Sequence, residues 1–201
     1  MNLPNKLTIV RIILVPIMLV IGIIDRLVGI PGEALGISTA FWIMLAIFVV
    51  ASLTDKLDGT IARKTNQVTT FGKFLDPIAD KILVLTAMMI LVEYGRMPAW
   101  IPVIVMFREF LVSGFRLVAS QKGTVIAACI WGKLKTVTQM IALILCFIDG
   151  YAYAYFVSHS IKNTGLLVLN IITTVLLTIS VVATIFSGWD YLKKGKDLLK
   201  D

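Results

Sequence analysis

The stretch that decides the fold covers residues 36–80 and reads GISTAFWIMLAIFVVASLT, then DKLDGTIARKTNQVTTFGKF, then LDPIAD. Its first 19 residues contain no charged side chain, whereas the next 26 contain four aspartates and four basic residues. A second, mostly apolar run follows at about 78–95. A membrane-spanning helix needs about 20 mostly apolar residues. The pattern therefore predicts two spanning helices joined by a polar segment at one membrane surface.

The rest of the chain repeats this alternation of apolar runs and shorter polar segments. Of its 201 residues, 58% are hydrophobic and only 15% are charged, which excludes an ordinary soluble domain. We predict an all-α integral membrane protein with six transmembrane helices in a single domain covering residues 1–201. The apolar runs lie at about 7–24, 36–54, 78–95, 98–118, 133–149 and 164–188.

The basic residues are divided unevenly between the two sides of the predicted spans. Arg26, Arg96 and Lys162 fall on one side. The other side holds Lys6, Lys56, Arg63, Lys64, Lys73, Lys122, Lys193, Lys194, Lys196 and Lys200. Loops rich in basic residues stay in the cytoplasm, so we expect a multi-pass protein of the cell membrane with both termini in the cytoplasm. The net charge of +7 indicates membrane lipids with anionic headgroups rather than nucleic acid, because the basic residues are scattered and four lysines follow the last span.

Charged residues within or beside the spans are candidates for function, because each costs about 2.5–3.5 kcal/mol on insertion scales. Here they occur where span 2 ends, where span 3 begins, late in span 4 and where span 5 begins. In an alternating topology all these positions lie in the cytoplasmic half. The sequence therefore predicts a polar active-site cavity that faces the cytoplasm and is closed by an apolar outer half. The residues concerned are Asp55, Asp58, Asp76, Asp80, Arg108, Glu109, Arg116, Lys133 and Lys135.

Four of these residues form two pairs of carboxylates at helical spacing. Asp55 and Asp58 are three residues apart and Asp76 and Asp80 are four apart, so each pair shares one helix face. Two like charges about 4 Å apart repel by roughly 4 kcal/mol at an effective dielectric near 20, so four carboxylates in one cavity require cations. Oxygen ligands favour hard ions, Mg²⁺ or Mn²⁺ before Zn²⁺, and two such ions in one site could clamp a phosphate or pyrophosphate.

The spacing of this segment resembles the signature of the CDP-alcohol phosphotransferase family. All eight fixed positions of that signature are present: Asp55, Asp58, Gly59, Ala62, Arg63, Gly72, Asp76 and Asp80. The resemblance implies a homodimer in which the four aspartates hold two metal ions. It also implies that Asp80 is the general base, which takes the proton from the acceptor hydroxyl as that hydroxyl attacks the β-phosphorus of CDP-diacylglycerol and CMP leaves.

The same resemblance implies a binding site for the nucleotide part of CDP-diacylglycerol. Its residues would be Asn5, Thr8, Gly59, Arg63 and Thr69. Asparagine and threonine offer neutral donors and acceptors to a base and a ribose, and an arginine can bind a phosphate through two parallel hydrogen bonds. Taken alone, Asn5 and Thr8 would more often be residues at the start of a helix.

Basic residues in spans 4 and 5 indicate the acceptor. A phosphorylated acceptor needs fixed cations inside a cavity, and Arg108, Arg116, Lys133 and Lys135 would supply them. The two lysines could instead anchor span 5 among anionic headgroups. The stretches at 2–8, 108–109 and 132–136 resemble bacterial phosphatidylglycerophosphate synthases, and this resemblance implies sn-glycerol 3-phosphate as the acceptor.

Two other functions remain open from the sequence. One is the same chemistry with another acceptor, such as inositol phosphate, serine or a phospholipid. The other is a divalent-cation transporter, which would also use carboxylates inside the membrane but needs a path through both leaflets. The outer halves of the predicted spans lack comparable charged residues, which favours the enzyme.

Overall fold

The structure, a computed structural model, describes the backbone of residues 3–34, 36–64, 70–121 and 130–195, and the side chains of residues 8–34, 36–54, 75–121 and 130–195. This part of the chain forms six long helices, one short helix and a pair of two-residue strands. The elements are α1 (Leu3–Val28), β1 (Glu33–Ala34), β2 (Ile37–Ser38), α2 (Thr39–Lys64), α3 (Thr70–Glu93), α4 (Trp100–Gln121), α5 (Ile130–Ile148), α6 (Tyr155–Ser158) and α7 (Thr164–Gly195). Each long helix covers most of one predicted apolar run.

The long helices extend beyond the apolar runs that predicted them. The backbone of α2 stays helical to Lys64 and α3 already begins at Thr70, so all four aspartates of the motif lie inside helices. An apolar run marks only the apolar part of a helix, whereas the backbone hydrogen bonds continue into polar residues. The antiparallel pair of β1 and β2 is too short to give a periodic pattern, and the sequence did not predict it.

Three helices within the described residues are long and apolar enough to cross a membrane: Thr8–Val28, Ile130–Ile148 and Thr164–Gly195. A shorter apolar helix lies at Thr39–Thr54. The remaining long helices, α3 and α4, contain several of the charged residues that the sequence assigns to the cavity. The protein is thus mostly helical with three candidate membrane spans, and the six-span arrangement stays a prediction.

The chain divides into two compact units, Met1–Tyr94 and Gly95–Asp201. In the first unit, α1 packs against both α2 and α3. A Cβ atom at Gly22 would lie in ordinary van der Waals contact with both helices, 3.4 Å from Sδ of Met44 on α2 and 3.7 Å from Cγ1 of Ile90 on α3, so this turn of α1 lies close to both. The single domain predicted for the whole chain stays a prediction.

Two hydrogen bonds fix the relative direction of α1 and α3. Near the start of both helices, the hydroxyl of Thr8 donates to Oδ1 of Asp76 at 2.7 Å. Near their other ends, the hydroxyl of Tyr94 donates to Oδ2 of Asp25 at 2.7 Å. The two helices therefore run side by side in the same direction, with the aspartate motif at one end.

In the second unit, α7 packs against both α4 and α5. Arg96, just before α4, donates to the carbonyl oxygens of Cys146 at 3.2 Å and Phe147 at 2.9 Å, which satisfies acceptors at the end of α5. At the far end of α7, a Cβ atom at Gly195 would lie 2.5 Å from the ring of Phe115. Only a glycine therefore allows the last turn of α7 to approach α4 so closely.

Candidate functional site

The predicted metal ligands are on α2 and α3. Asp76 and Asp80 are one turn apart on α3, and both side chains are exposed. Asp55 and Asp58 are in α2, but their side chains lie outside the described residues. Among the side chains that the structure describes, no three His, Cys, Asp or Glu residues are close enough to hold a metal ion. The described part of the set, the carboxylates of Asp76 and Asp80, offers oxygen atoms alone, which fits a hard divalent cation.

Thr8 contacts one of the predicted metal ligands. Its side chain is buried, with 1% exposed, and its hydroxyl donates to Oδ1 of Asp76 at 2.7 Å. The sequence assigned Thr8 to the nucleotide, and the structure adds this contact with a carboxylate. A hydrogen bond to a ligating carboxylate fixes its orientation and tunes metal affinity. Thr8 is therefore placed to hold Asp76 in one orientation.

Arg11 is a buried residue to which the sequence assigned no individual role. Its side chain is 1% exposed, and Nε donates a 3.1 Å hydrogen bond to the carbonyl oxygen of Ala51 on α2. Ala51 precedes Asp55 by about one helical turn. Helix α1 thus contacts α2 through Arg11 and α3 through Thr8, so it touches both helices that carry the motif. The signal in the sequence was a charged residue inside the apolar run at 7–24.

The contacts of the other residues predicted to bind the nucleotide lie outside the part of the chain that the structure describes. Asn5, Gly59 and Arg63 are in helices, but the structure describes only the backbone at these three positions, and Thr69 lies outside the described residues. Asn5 is in the first turn of α1, as expected for a residue near a helix start. Their role in nucleotide binding stays a prediction.

Three of the four cations predicted to bind the acceptor belong to one cluster in the second unit. Oε1 of Glu109 accepts hydrogen bonds from Nζ of Lys135 at 2.6 Å and from Nη1 of Arg108 at 3.0 Å. The side chains of Lys135 and Arg108 are only 8% and 11% exposed, so both charges are largely removed from solvent. The third cation, Arg116, joins the cluster through a tyrosine of α7.

Tyr191 and Ser187 of α7 complete this cluster, which we call the basic cluster: Arg108, Glu109, Arg116, Lys135, Ser187 and Tyr191. Nη2 of Arg116 donates to the hydroxyl of Tyr191 at 2.6 Å, and Nη2 of Arg108 donates to the hydroxyl of Ser187. The guanidinium carbons of Arg108 and Arg116 lie 5.7 and 5.4 Å from the centre of the Tyr191 ring, close enough for a cation–π attraction. No role for Tyr191 or Ser187 was predicted from the sequence, because only the contact between α4 and α7 identifies them.

Lys133 lies outside the basic cluster. Its side chain is exposed and forms no ion pair with the side chains that the structure describes. Residues two apart on a helix point about 200° apart, so Lys133 and Lys135 occupy nearly opposite faces of α5. The structure therefore separates two lysines that the sequence grouped.

One donor of the basic cluster is buried without a partner. Among the described residues, Nε of Arg108 has no hydrogen bond. A buried donor left unpaired costs about 1–3 kcal/mol, so an anion beside Arg108 would recover that energy. The predicted role of Arg108 in binding an acceptor phosphate stays a prediction, and this donor fits it.

Residues 1–186 match the profile of a family described as CDP-alcohol phosphatidyltransferase. A protein of Bacillus subtilis strain 168 named CDP-diacylglycerol–glycerol-3-phosphate 3-phosphatidyltransferase is 39% identical over 202 residues, covering 99% of this chain and 97% of the relative. Proteins of the same name from Haemophilus influenzae and Rickettsia typhi are 36% and 35% identical. They cover 100% and 97% of this chain, and 96% and 97% of their own lengths.

Proposed function

This chain belongs to the CDP-alcohol phosphatidyltransferase family, and we propose that it transfers the phosphatidyl group of CDP-diacylglycerol to sn-glycerol 3-phosphate. The products are phosphatidylglycerol phosphate and CMP, so the reaction is a step in phospholipid biosynthesis. The names of the relatives specify this donor and this acceptor. Membership of a transferase family also argues against the divalent-cation transporter that the sequence left open.

The observation that carries the choice of acceptor is the charge of the basic cluster. Its three cations and one carboxylate, linked by the bonds described above, leave a net charge of +2. A phosphate monoester carries about −1.5 to −2 at neutral pH, which this charge complements. Serine has no phosphate, so it would leave the cluster without its counter-charge. We assign Arg108, Arg116 and Lys135 to direct contacts with the acceptor phosphate, and Lys133 to a weaker contribution from a greater distance.

The reaction exchanges one phosphorus–oxygen bond for another. The acceptor hydroxyl oxygen bonds to the β-phosphorus of CDP-diacylglycerol, and the bond from that phosphorus to the departing CMP oxygen breaks. Asp80 takes the hydroxyl proton, so that the attacking oxygen carries an electron pair as it bonds. The hydrogen bond from Thr8 supports this arrangement by holding the neighbouring carboxylate of Asp76 in place.

Enzymes of this family generally use divalent metal ions. We assign two ions of Mg²⁺ or Mn²⁺ to Asp55, Asp58, Asp76 and Asp80. Bound there, such ions supply positive charge beside the phosphate oxygens of the substrates. The oxygen-only donors of Asp76 and Asp80 support this choice of hard cations.

We assign the nucleotide part of CDP-diacylglycerol to Asn5, Thr8, Gly59, Arg63 and Thr69. The support is the match of the segment at 55–80 to the family signature, together with the position of Asn5 in the first turn of α1. Thr8 would then have two partners, since its oxygen can accept from the nucleotide while it donates to Asp76.

We also propose a homodimer of six-span chains in the cell membrane, with both termini and the active-site cavity on the cytoplasmic side. The arrangement of α1 and α3 supports this topology, because two parallel spans place Thr8 and Asp76 at the same membrane surface. The basic residues in the last turn of α7, Lys193 and Lys194, fit a cytoplasmic end for that helix.

The test is an acceptor panel with the purified protein in detergent or vesicles, CDP-diacylglycerol and a divalent metal. The product mass is measured with sn-glycerol 3-phosphate, glycerol, serine, inositol phosphate and a phospholipid as acceptors. We expect the mass of phosphatidylglycerol phosphate and one CMP per lipid product. If glycerol or serine reacted as well as glycerol 3-phosphate, the phosphate site would be wrong and the assignment would return to the family level.

A further inference from the structure

We propose that Tyr191 is a positioning residue for the acceptor site, which holds Arg108 and Arg116 in place, and that Ser187 assists it. The inference rests on the proposed function, because it assumes that the two arginines bind the acceptor phosphate. Both α7 residues lie beyond residues 1–186, the part that matches the family profile. We therefore expect them to affect the acceptor rather than the chemistry that the family shares.

The hydroxyl of Tyr191 restrains a side chain that would otherwise be mobile. Arg116 is exposed, and a free arginine side chain loses rotamer entropy when it binds a ligand. Tyr191 is buried, with 1% exposed, so its hydroxyl provides a fixed acceptor 2.6 Å from Nη2 of Arg116. A guanidinium has five N–H donors, so the bond to Tyr191 leaves others for a phosphate. Because Tyr191 already restrains Arg116 before the phosphate binds, less side-chain entropy is lost on binding.

The ring of Tyr191 has a second effect, on the repulsion between the arginines. Both guanidinium groups lie within 6 Å of the ring centre, and the negative face of an aromatic ring attracts cations. Arg108 is further held by the hydroxyl of Ser187 and by Glu109. Ser187 and Tyr191 on one face of α7 are therefore neutral side chains that hold two arginines close together and leave their positive charges in place.

The test compares Tyr191→Phe with Tyr153→Phe. Tyr191→Phe keeps the ring and deletes the hydroxyl that Arg116 uses. Tyr153 is a matched control, because its hydroxyl bonds to Thr178 of α7 at 2.9 Å, outside the basic cluster. For each variant, the KM for glycerol 3-phosphate, the KM for CDP-diacylglycerol, kcat and the melting temperature are measured on purified protein. Ser187→Ala provides a second, independent variant of the same support.

We expect Tyr191→Phe to raise the KM for glycerol 3-phosphate by about 2- to 12-fold, which corresponds to the loss of one hydrogen bond, and to leave the KM for CDP-diacylglycerol unchanged. The melting temperature should fall by no more than a few degrees, because the same bond is present in the protein without ligand. Ser187→Ala should change the same KM in the same direction, and Tyr153→Phe should change neither KM. A residue with only a structural role would lower the melting temperature without separating the two KM values. That result, or an unchanged KM for glycerol 3-phosphate in both α7 variants, would overturn the inference.

Arg116→Gln, measured in parallel, separates this inference from the proposed function. If Arg116→Gln raises the KM for glycerol 3-phosphate and Tyr191→Phe does not, the arginine binds the phosphate but needs no support from Tyr191. If Arg116→Gln leaves that KM unchanged, the phosphate site itself is misplaced and both proposals fail.

Discussion

Replacing Lys135 by glutamine is expected to raise the KM for glycerol 3-phosphate by about 10- to 150-fold. The ammonium group is largely buried, with 8% of its side chain exposed, and lies 2.6 Å from Oε1 of Glu109 inside the basic cluster. A hydrogen bond to a charged group contributes about 1.5–3 kcal/mol, which corresponds to that range of affinity. Glu109 would keep Arg108 as a partner at 3.0 Å, so the carboxylate is not left unpaired and the variant should still fold.

Lys133→Gln is the matched control, because it makes the same change of charge two residues away on the opposite face of α5. Lys133 is exposed, and a surface substitution usually alters free energies by no more than about 0.5 kcal/mol, or roughly twofold in KM. Both variants are assayed with each substrate varied in turn, in vesicles of fixed lipid composition. Equal effects of the two substitutions on the KM for glycerol 3-phosphate would refute the assignment of Lys135. So would a parallel rise in the KM for CDP-diacylglycerol.

Three further predictions concern the aspartates. Asp80→Asn should lower kcat by about 10²- to 10⁴-fold, because an amide cannot accept the proton. Equilibrium binding of CDP-diacylglycerol should be retained. Turnover within tenfold of the parent enzyme would contradict the role of Asp80 as the base. Thr8→Val should raise the metal concentration that gives half-maximal activity by about 10- to 100-fold, because Asp76 loses the hydrogen bond that orients it. An unchanged midpoint of the metal titration would show that the bond is dispensable. A chelator should abolish activity, and Mg²⁺ or Mn²⁺ should restore it. The variant Asp76→Ala should stay inactive at any metal concentration. Full activity in excess chelator would exclude the metal site at the carboxylates.

The apolar runs predicted the positions of the six long helices, because the length and composition of a run are local properties of the chain. They did not predict where the helices end, since α7 continues seven residues past the run at 164–188 to Gly195. The helical phase of Lys133 and Lys135 could have been read from the sequence, because residues two apart never share a helix face. Tyr191 could not, since its role depends on which turn of α7 packs against Arg116. The carboxylate motif could be recognised from the spacing of its residues alone. The side chains of Asp55 and Asp58 lie outside the described residues, so their contacts stay a prediction.

The hydrogen bonds of Arg11 to α2 and of Thr8 to α3 can form only in that order during synthesis of the first unit. Arg11 bonds to a residue 40 positions later, and Thr8 to one 68 positions later. Ribosomes add about 5–20 residues per second, so α1 waits roughly 2–8 s for the partner of Arg11 and roughly 3–14 s for the partner of Thr8. During that interval the guanidinium must stay hydrated, which it can do because it lies near the start of α1, where a long side chain reaches the membrane surface. In the proposed topology, α1 would enter the membrane with the charge of Arg11 still facing water, and it would bury that charge only after α2 has been synthesised.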